Sequence, residues 1–115
     1  MKRLALTSAL ALTLLGATPA VQAQETLKIG AVVALSGAGA AWGQGMLNGA
    51  QLAAEDVNAA GGLQVGNKKY KVVVVPYDDK YQANEAVTAA NRLVYEDGVK
   101  YIIGPTGSAP LLAIQ

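Results

Sequence analysis

Ser108 is the residue of this chain best placed to hold an anion. It follows Gly104-Pro105-Thr106-Gly107 and precedes the apolar Leu111-Leu112-Ala113-Ile114, which puts it at the N-cap position of a helix. A hydroxyl beside free backbone N–H groups suits a carboxylate. It equally suits a serine that does nothing but cap its helix. A second candidate is the glycine-rich run 36–43, SGAGAAWG. Its glycines let the backbone come close to a ligand. Trp42, the one tryptophan in these 115 residues, offers a large apolar plane that can wall a pocket or cover a hydrophobic seam. Asp78-Asp79 has the charge for a metal or an ammonium group. The commoner use of such a pair is a solvated turn with a helix cap, and that is the expectation here.

Other chemistries fit poorly. The run 36–43 fails as a dinucleotide fingerprint: Gly37 and Gly39 match, but Trp42 stands where the third glycine belongs. It lacks the Gly-Lys-Ser/Thr ending of a nucleotide loop. Ser108 has Thr106 and Pro110 where a nucleophile elbow has glycines. The sequence contains no histidine and no cysteine, which removes the commonest general base and the thiolate ligands. No cofactor or metal is expected. With nine Lys and Arg against eight Asp and Glu, there is no basic footprint for nucleic acid.

The elements that must position these residues alternate. Residues 27–35, 70–77 and 101–104 read as strands, and 44–60 and 82–97 as helices, with a third helix opening at Ser108. In the first helix Met46, Ala50, Ala53, Ala54 and Val57 are expected inward, and Gln51, Glu55 and Asn58 off that face. In the second, Ala86, Val87, Ala90, Leu93 and Val94 are expected inward. Gly61-Gly62 and Gly98 stop the helices, and Gly66-Asn67 marks a turn. Val72-Val73-Val74-Val75 is apolar on both sides and suggests a strand in the middle of a covered sheet. Pro76 is expected at that strand's end. The β-α-β-α-β-α order predicts an α/β fold, an open parallel sheet with helices on both faces. Ligands of such sheets bind beyond the carboxyl ends of the strands. Three loops lie there: 36–43, 78–81 and 105–108.

Residues 1–23 have the three-part layout of a secretory signal peptide. Lys2 and Arg3 precede an uncharged apolar run over 4–15, and Val21-Gln22-Ala23 supplies small residues at the cleavage site. The run is shorter than the roughly 20 residues that span a bilayer. The mature chain is expected to begin at Gln24, outside the cytoplasm. No cysteine follows the apolar run, so no lipid anchor is expected. Residues 24–115 are expected to form the first part of one lobe of a longer protein, because the third helix has apolar residues without a partner surface and a three-stranded sheet leaves open edges.

Residues 27–115 resemble the N-terminal part of the type I periplasmic solute-binding proteins of ABC transporters, in the branch of the leucine/isoleucine/valine binders and related amino-acid and amide binders. The resemblance rests on KIGAVVALSG from Lys28, Trp42-Gly43, NGAQLAAEDVNAAGG from Asn48, Tyr77-Asp78-Asp79 and IIGPTGS from Ile102. It implies a Rossmann-like lobe of the periplasmic-binding-protein type I fold. It also implies a monomeric periplasmic receptor, not an enzyme, that closes two lobes on an amino acid and delivers it to a membrane permease. By the resemblance Ser108 holds the ligand carboxylate through its hydroxyl and backbone, with Thr106 and Gly107 beside it, and Trp42 touches the ligand side chain. Ala109-Pro110 departs from the Ser/Thr that often follows in the family. The partner of the ligand ammonium is expected beyond Gln115. A ligand-sensing domain of a receptor or regulator is the first alternative, and an exported α/β hydrolase the second.

Overall fold

The computed structural model describes residues 24–115, and the expected signal segment 1–23 lies outside the described residues. The elements are β1 (Glu25–Val33), a 3₁₀ turn (Gly37–Gly39), α1 (Ala40–Ala59), β2 (Leu63–Val65), β3 (Lys68–Asp78), α2 (Ala83–Asn91) with a π-helical turn (Arg92–Glu96), β4 (Tyr101–Ile103) and α3 (Ser108–Ala113). The sheet order is β2-β3-β1-β4. β1 pairs in parallel with β3, Ile29 opposite Val74, and with β4, Ala31 opposite Ile103. The three expected parallel strands are therefore present.

β2 is an addition. It pairs antiparallel with the start of β3, Leu63 opposite Tyr70, and Gly66-Asn67 turns the chain between them. The sheet is mixed, not purely parallel. β2 is too short and too exposed to show the alternation by which a strand is recognised.

The centre of the sheet belongs to β1, between two parallel neighbours, and not to the valine-rich β3. Ala31, Val32, Val33 and Ala34 are fully buried, whereas Val72 to Val75 are half-buried. β2 pairs with β3 only as far as Tyr70, so β3 is an edge beyond that point. The Asn58 side chain takes the place of a strand there. Its amide donates to the Val72 carbonyl at 2.7 Å, and the Val72 N–H donates to Asn58 Oδ1 at 2.8 Å. Asn58 therefore faces the sheet, contrary to the sequence expectation. Pro76 sits two residues inside β3 instead of at its end. The Asp79 N–H donates to the Val33 carbonyl and the Val72 N–H points outward, so alternation along the strand turns position 76 outward as well. The missing N–H of Pro76 breaks no ladder bond.

Helices cover both faces. Residues 31 and 33 of β1 pack with Leu47 of α1 on one face. Val32 packs with Ala86, Ala89 and Leu93 on the other. The buried stripe of α1 is Gly43, Leu47 and Ala54; of the residues expected inward Ala54 is buried, Ala50 and Val57 are half-buried, and Met46 and Ala53 are exposed, a stripe rotated toward Gly43 and Leu47. Gly43 sets this rotation. A Cβ there would collide with the Ala34 carbonyl, so only glycine lets α1 lie this close to the end of β1. Val87 and Val94, expected inward, are exposed. The small Ala86 and Ala89 take the sheet-facing positions. The wide turn from Arg92 then lets the Val99 N–H donate to the Leu93 carbonyl at 2.8 Å, while Val94 stays outside. Among the described residues no helix is long and apolar enough to cross a membrane.

Asn58→Ala should leave both backbone groups of Val72 without their partner. In the full-length protein this should lower stability by about 1–3 kcal/mol. Gln51→Ala, on the exposed side of the same helix, should stay within about 0.5 kcal/mol of wild type. Urea denaturation of the two variants checks the assignment.

Candidate functional site

The three loops at the carboxyl ends of β1, β3 and β4 are tied together by the Asp78 carboxylate and the Tyr81 ring. Strands that end side by side leave backbone N–H groups that need acceptors. Asp78 supplies one. Its Oδ1 accepts from the amides of Leu35 (2.8 Å), Ser36 (3.3 Å) and Lys80 (2.8 Å), and its Oδ2 accepts from the Ser36 hydroxyl at 2.6 Å. Asp79 is fully buried. Its Oδ1 accepts from the Tyr81 N–H at 2.8 Å, and its backbone carbonyl accepts from the Gln82 N–H. Asp79 is not a solvated residue, Asp78 is half-buried with both carboxylate oxygens engaged, and α2 has no side-chain cap. The solvated reading fails because the neighbouring strand end brings its own unpaired amides to this turn, a long-range demand that a local pair of acids does not reveal.

These bonds hold an unusual backbone. Lys80 and Tyr81 lie at φ 52 and 63, the left-handed region that side-chain-bearing residues seldom adopt. Each aspartate catches the amide two residues ahead, the turn geometry typical of this residue type. Tyr81 is thereby turned toward the other two loops. A Cβ built on Gly39 would lie 2.5 Å from Tyr81 Cδ2, and one built on Gly107 would lie 2.7 Å from Tyr81 Cε2. One edge of the ring thus rests on the 3₁₀ turn and on the residue before Ser108. The Trp42 ring is 6.5 Å from it, tilted by 46°.

The expected site residues are placed as follows. Trp42 is not in a loop. Helix α1 begins at Ala40, so Trp42 stands in its first turn, 68% exposed, and the glycine run contributes only a short 3₁₀ turn. Ser108 is the first residue of α3 and is exposed, and Gly107 is the N-cap. Ser108 is therefore one position further in than expected, because the extended backbone at Gly107 (φ −112, ψ 149) already ends the loop. The hydroxyl of Ser108 and the amides of Ser108 and Ala109 are the donors there, since a helix start leaves its first amides unpaired and Pro110 has none. Gly107 and Pro105 are buried. Thr106 Oγ1 and Asp79 Oδ2 are buried with no hydrogen-bond partner among the described residues. The structure brings Trp42 and Gly107 to one ring, that of Tyr81. Ser36 and Tyr81 were not singled out from sequence: the Ser36 hydroxyl and the Tyr81 ring meet residues 26 or more positions away, and no local pattern marks them. Among the described residues no cluster of three acidic or other ligating side chains could hold a metal.

Burial alone would raise the Asp78 carboxyl. The Ser36 hydroxyl and the three amides outweigh it and leave Asp78 below its ordinary 3.8. Burial pushes Asp79 the other way, above 3.8, opposed by the Tyr81 amide and reinforced by the Asp78 charge. Stability from Asp78 is therefore present above 3.8 and lost as pH falls through its lowered value. The Asp79 contribution is full below 3.8 and declines as pH rises through its raised value. Asp78→Asn should be less stable than wild type at neutral pH by about 1.5–3 kcal/mol. That gap should narrow below pH 3.8, as followed by thermal melts of both proteins across the acid range.

Comparison with known proteins bears on the fold and the family. The family described as periplasmic binding protein matches residues 26–115. The chain is 39% identical over 104 residues to the leucine-specific-binding protein of Salmonella typhimurium, covering 90% of this chain and 27% of that relative. It is 42% identical over 80 residues to the Leu/Ile/Val-binding protein of Escherichia coli, covering 70% and 20%. The structure of a branched-chain amino acid transporter substrate binding protein from Streptococcus pneumoniae, in complex with isoleucine, superposes with a TM-score of 0.72 at 36% identity, over 78% of this chain and 25% of that one. The chain thus spans about a quarter of the length of these relatives. With its family match over all but the first 25 residues, a parallel core and three loops gathered at one sheet end, the chain belongs to the periplasmic binding protein family.

Proposed function

We propose that the full-length protein is the substrate-binding subunit of an ABC importer and takes a branched-chain amino acid between two lobes, of which residues 24–115 supply part of the first. The single observation that carries this is the convergence on Tyr81, which joins the turn before Trp42 to Gly107 beside Ser108. An apolar plane and a set of amide and hydroxyl donors are thereby held at one end of the sheet. A branched-chain amino acid needs that combination: a dry surface for its side chain and fixed donors for its carboxylate. Ser108, with Thr106 and Gly107 in the same loop, is assigned to the carboxylate, and Trp42 to the side chain. The names of the Salmonella and Escherichia coli relatives, and the isoleucine bound in the Streptococcus structure, support this choice of solute. No bond is made or broken in such a cycle, so the site needs no base or nucleophile. The ligand then passes to a membrane permease. The working compartment is the periplasm, reached through cleavage before Gln24.

Calorimetry on the full-length protein with leucine, isoleucine and valine tests the assignment. Ser108→Ala should weaken binding about 10–150-fold, the loss expected for a hydrogen bond to a charged group. Lys71→Ala, exposed on β3, should not change it. Trp42→Ala should alter the ranking of the three ligands, and an unchanged ranking would remove Trp42 from the pocket. Mass spectrometry of the exported protein should find Gln24 as its first residue, and a distant start would contradict the signal assignment.

A further inference from the structure

We infer that Tyr81 is the positioning residue that sets which side chains the pocket accepts: its ring, wedged between Gly39 and Gly107, fixes the spacing between Trp42 and Ser108. This rests on the solute-binding function proposed above and adds to it a residue that does not itself have to touch the ligand.

Three observations converge. The Cδ2–Cε2 edge of the ring fills the space that side chains at positions 39 and 107 would need, at 2.5 and 2.7 Å, so the two loops are spaced by the ring and not by each other. The same ring stands 6.5 Å from Trp42 with a 46° tilt, inside the range of favourable aromatic pairs. A movement of Tyr81 is therefore a movement of the support under Trp42. Finally, the side chain is aimed by the left-handed backbone at Lys80 and Tyr81, which the Asp78 and Asp79 carboxylates hold through the two amides. The backbone that carries the ring is thereby held in one conformation by its surroundings. The ring makes these contacts through its carbon atoms, so the hydroxyl is dispensable. The carboxylate donors at Ser108 and the apolar plane at Trp42 sit on different elements, α3 and α1. Tyr81 touches the supports of both. The depth left for a ligand side chain follows from that spacing.

The test uses the full-length protein, with leucine, isoleucine and valine as the probes. Tyr81→Phe keeps the ring and should bind all three within about twofold of wild type. Tyr81→Ala should lose affinity unequally, shifting the leucine-to-valine preference about tenfold, which is the scale of one well-placed apolar contact. Gly107→Ala crowds the same ring edge without changing residue 81 and should shift the preference in the same way. In ligand-free protein, amide hydrogen exchange over residues 104–112 should quicken in Tyr81→Ala and not in Tyr81→Phe. An unchanged preference in both Tyr81→Ala and Gly107→Ala overturns the inference. So does an equal loss for all three ligands that follows a fall in melting temperature, since that is the mark of a purely structural residue. Wild-type protein that binds none of the three amino acids overturns the proposed solute instead, and the exchange comparison still decides whether the ring holds the loops.

Discussion

The Asp78 carboxylate is the interaction on which this end of the molecule depends. It stands where β3 stops and accepts hydrogen bonds from the end of β1, from Ser36 and from its own loop. Parallel strands that end together leave amides pointing into the loops, and a buried unpaired amide costs free energy on the scale of a lost hydrogen bond. One ionised side chain satisfies three of them. That choice has consequences. The chain after β1 is held at Ser36 and turns at once into the 3₁₀ segment and α1. The chain after β3 is bent into two successive left-handed residues. Tyr81 is thereby aimed across the sheet end, and the aromatic contact with Trp42 follows.

Close approach is the second organising feature. Helix α1 reaches the end of β1 because Gly43 has no side chain to meet the Ala34 carbonyl. The same logic operates around Tyr81, where two glycines leave room for one large ring. Small residues and one bulky residue are complementary here: the ring spaces the loops because nothing else does. On the far side of the sheet, Ala86 and Ala89 bring α2 down onto Val32, and Leu93 fills the remaining gap beneath Gly30. The fold packs tightly where alanine and glycine face the sheet around Leu47 and Leu93, and leaves some large apolar residues, among them Leu112 and Tyr95, outside.

The alternation of strand and helix, the parallel pairing and the location of the three loops were all legible in the sequence. They depend on local periodicity and on turn residues, which a chain displays regardless of what it packs against. Helix faces were legible only to within one residue. Met46 and Ala53 have the right spacing for the core, yet the glycine at 43 rotates the helix past them. Asn58 looked like a surface residue because its polarity is a local property, whereas its pairing with Val72 exists only once α1 lies along an open strand edge.

Ser108 and Trp42 could be singled out from the sequence because Ser108 has a hydroxyl at a helix start and Trp42, the one tryptophan, stands in a glycine-rich stretch. Their exact settings could not. A one-residue shift at the start of α3 made Ser108 the first helical residue, and an earlier start of α1, at Ala40 instead of 44, put Trp42 on a helix; such starts are decided by backbone angles at Gly107 and Gly39. Asp78, Asp79 and Tyr81 read as a polar surface turn. Only the tertiary structure buries Asp79, gives Asp78 two amides from the loop after β1, more than 40 positions earlier, and sets the Tyr81 ring against two glycines from different loops. The sequence by itself determined the order of the elements and the end of the sheet where a ligand belongs, since both follow from local pattern and chain handedness. Which side chains hold that end together was decided in three dimensions, because hydrogen-bond demand and free volume are set by residues distant in the chain.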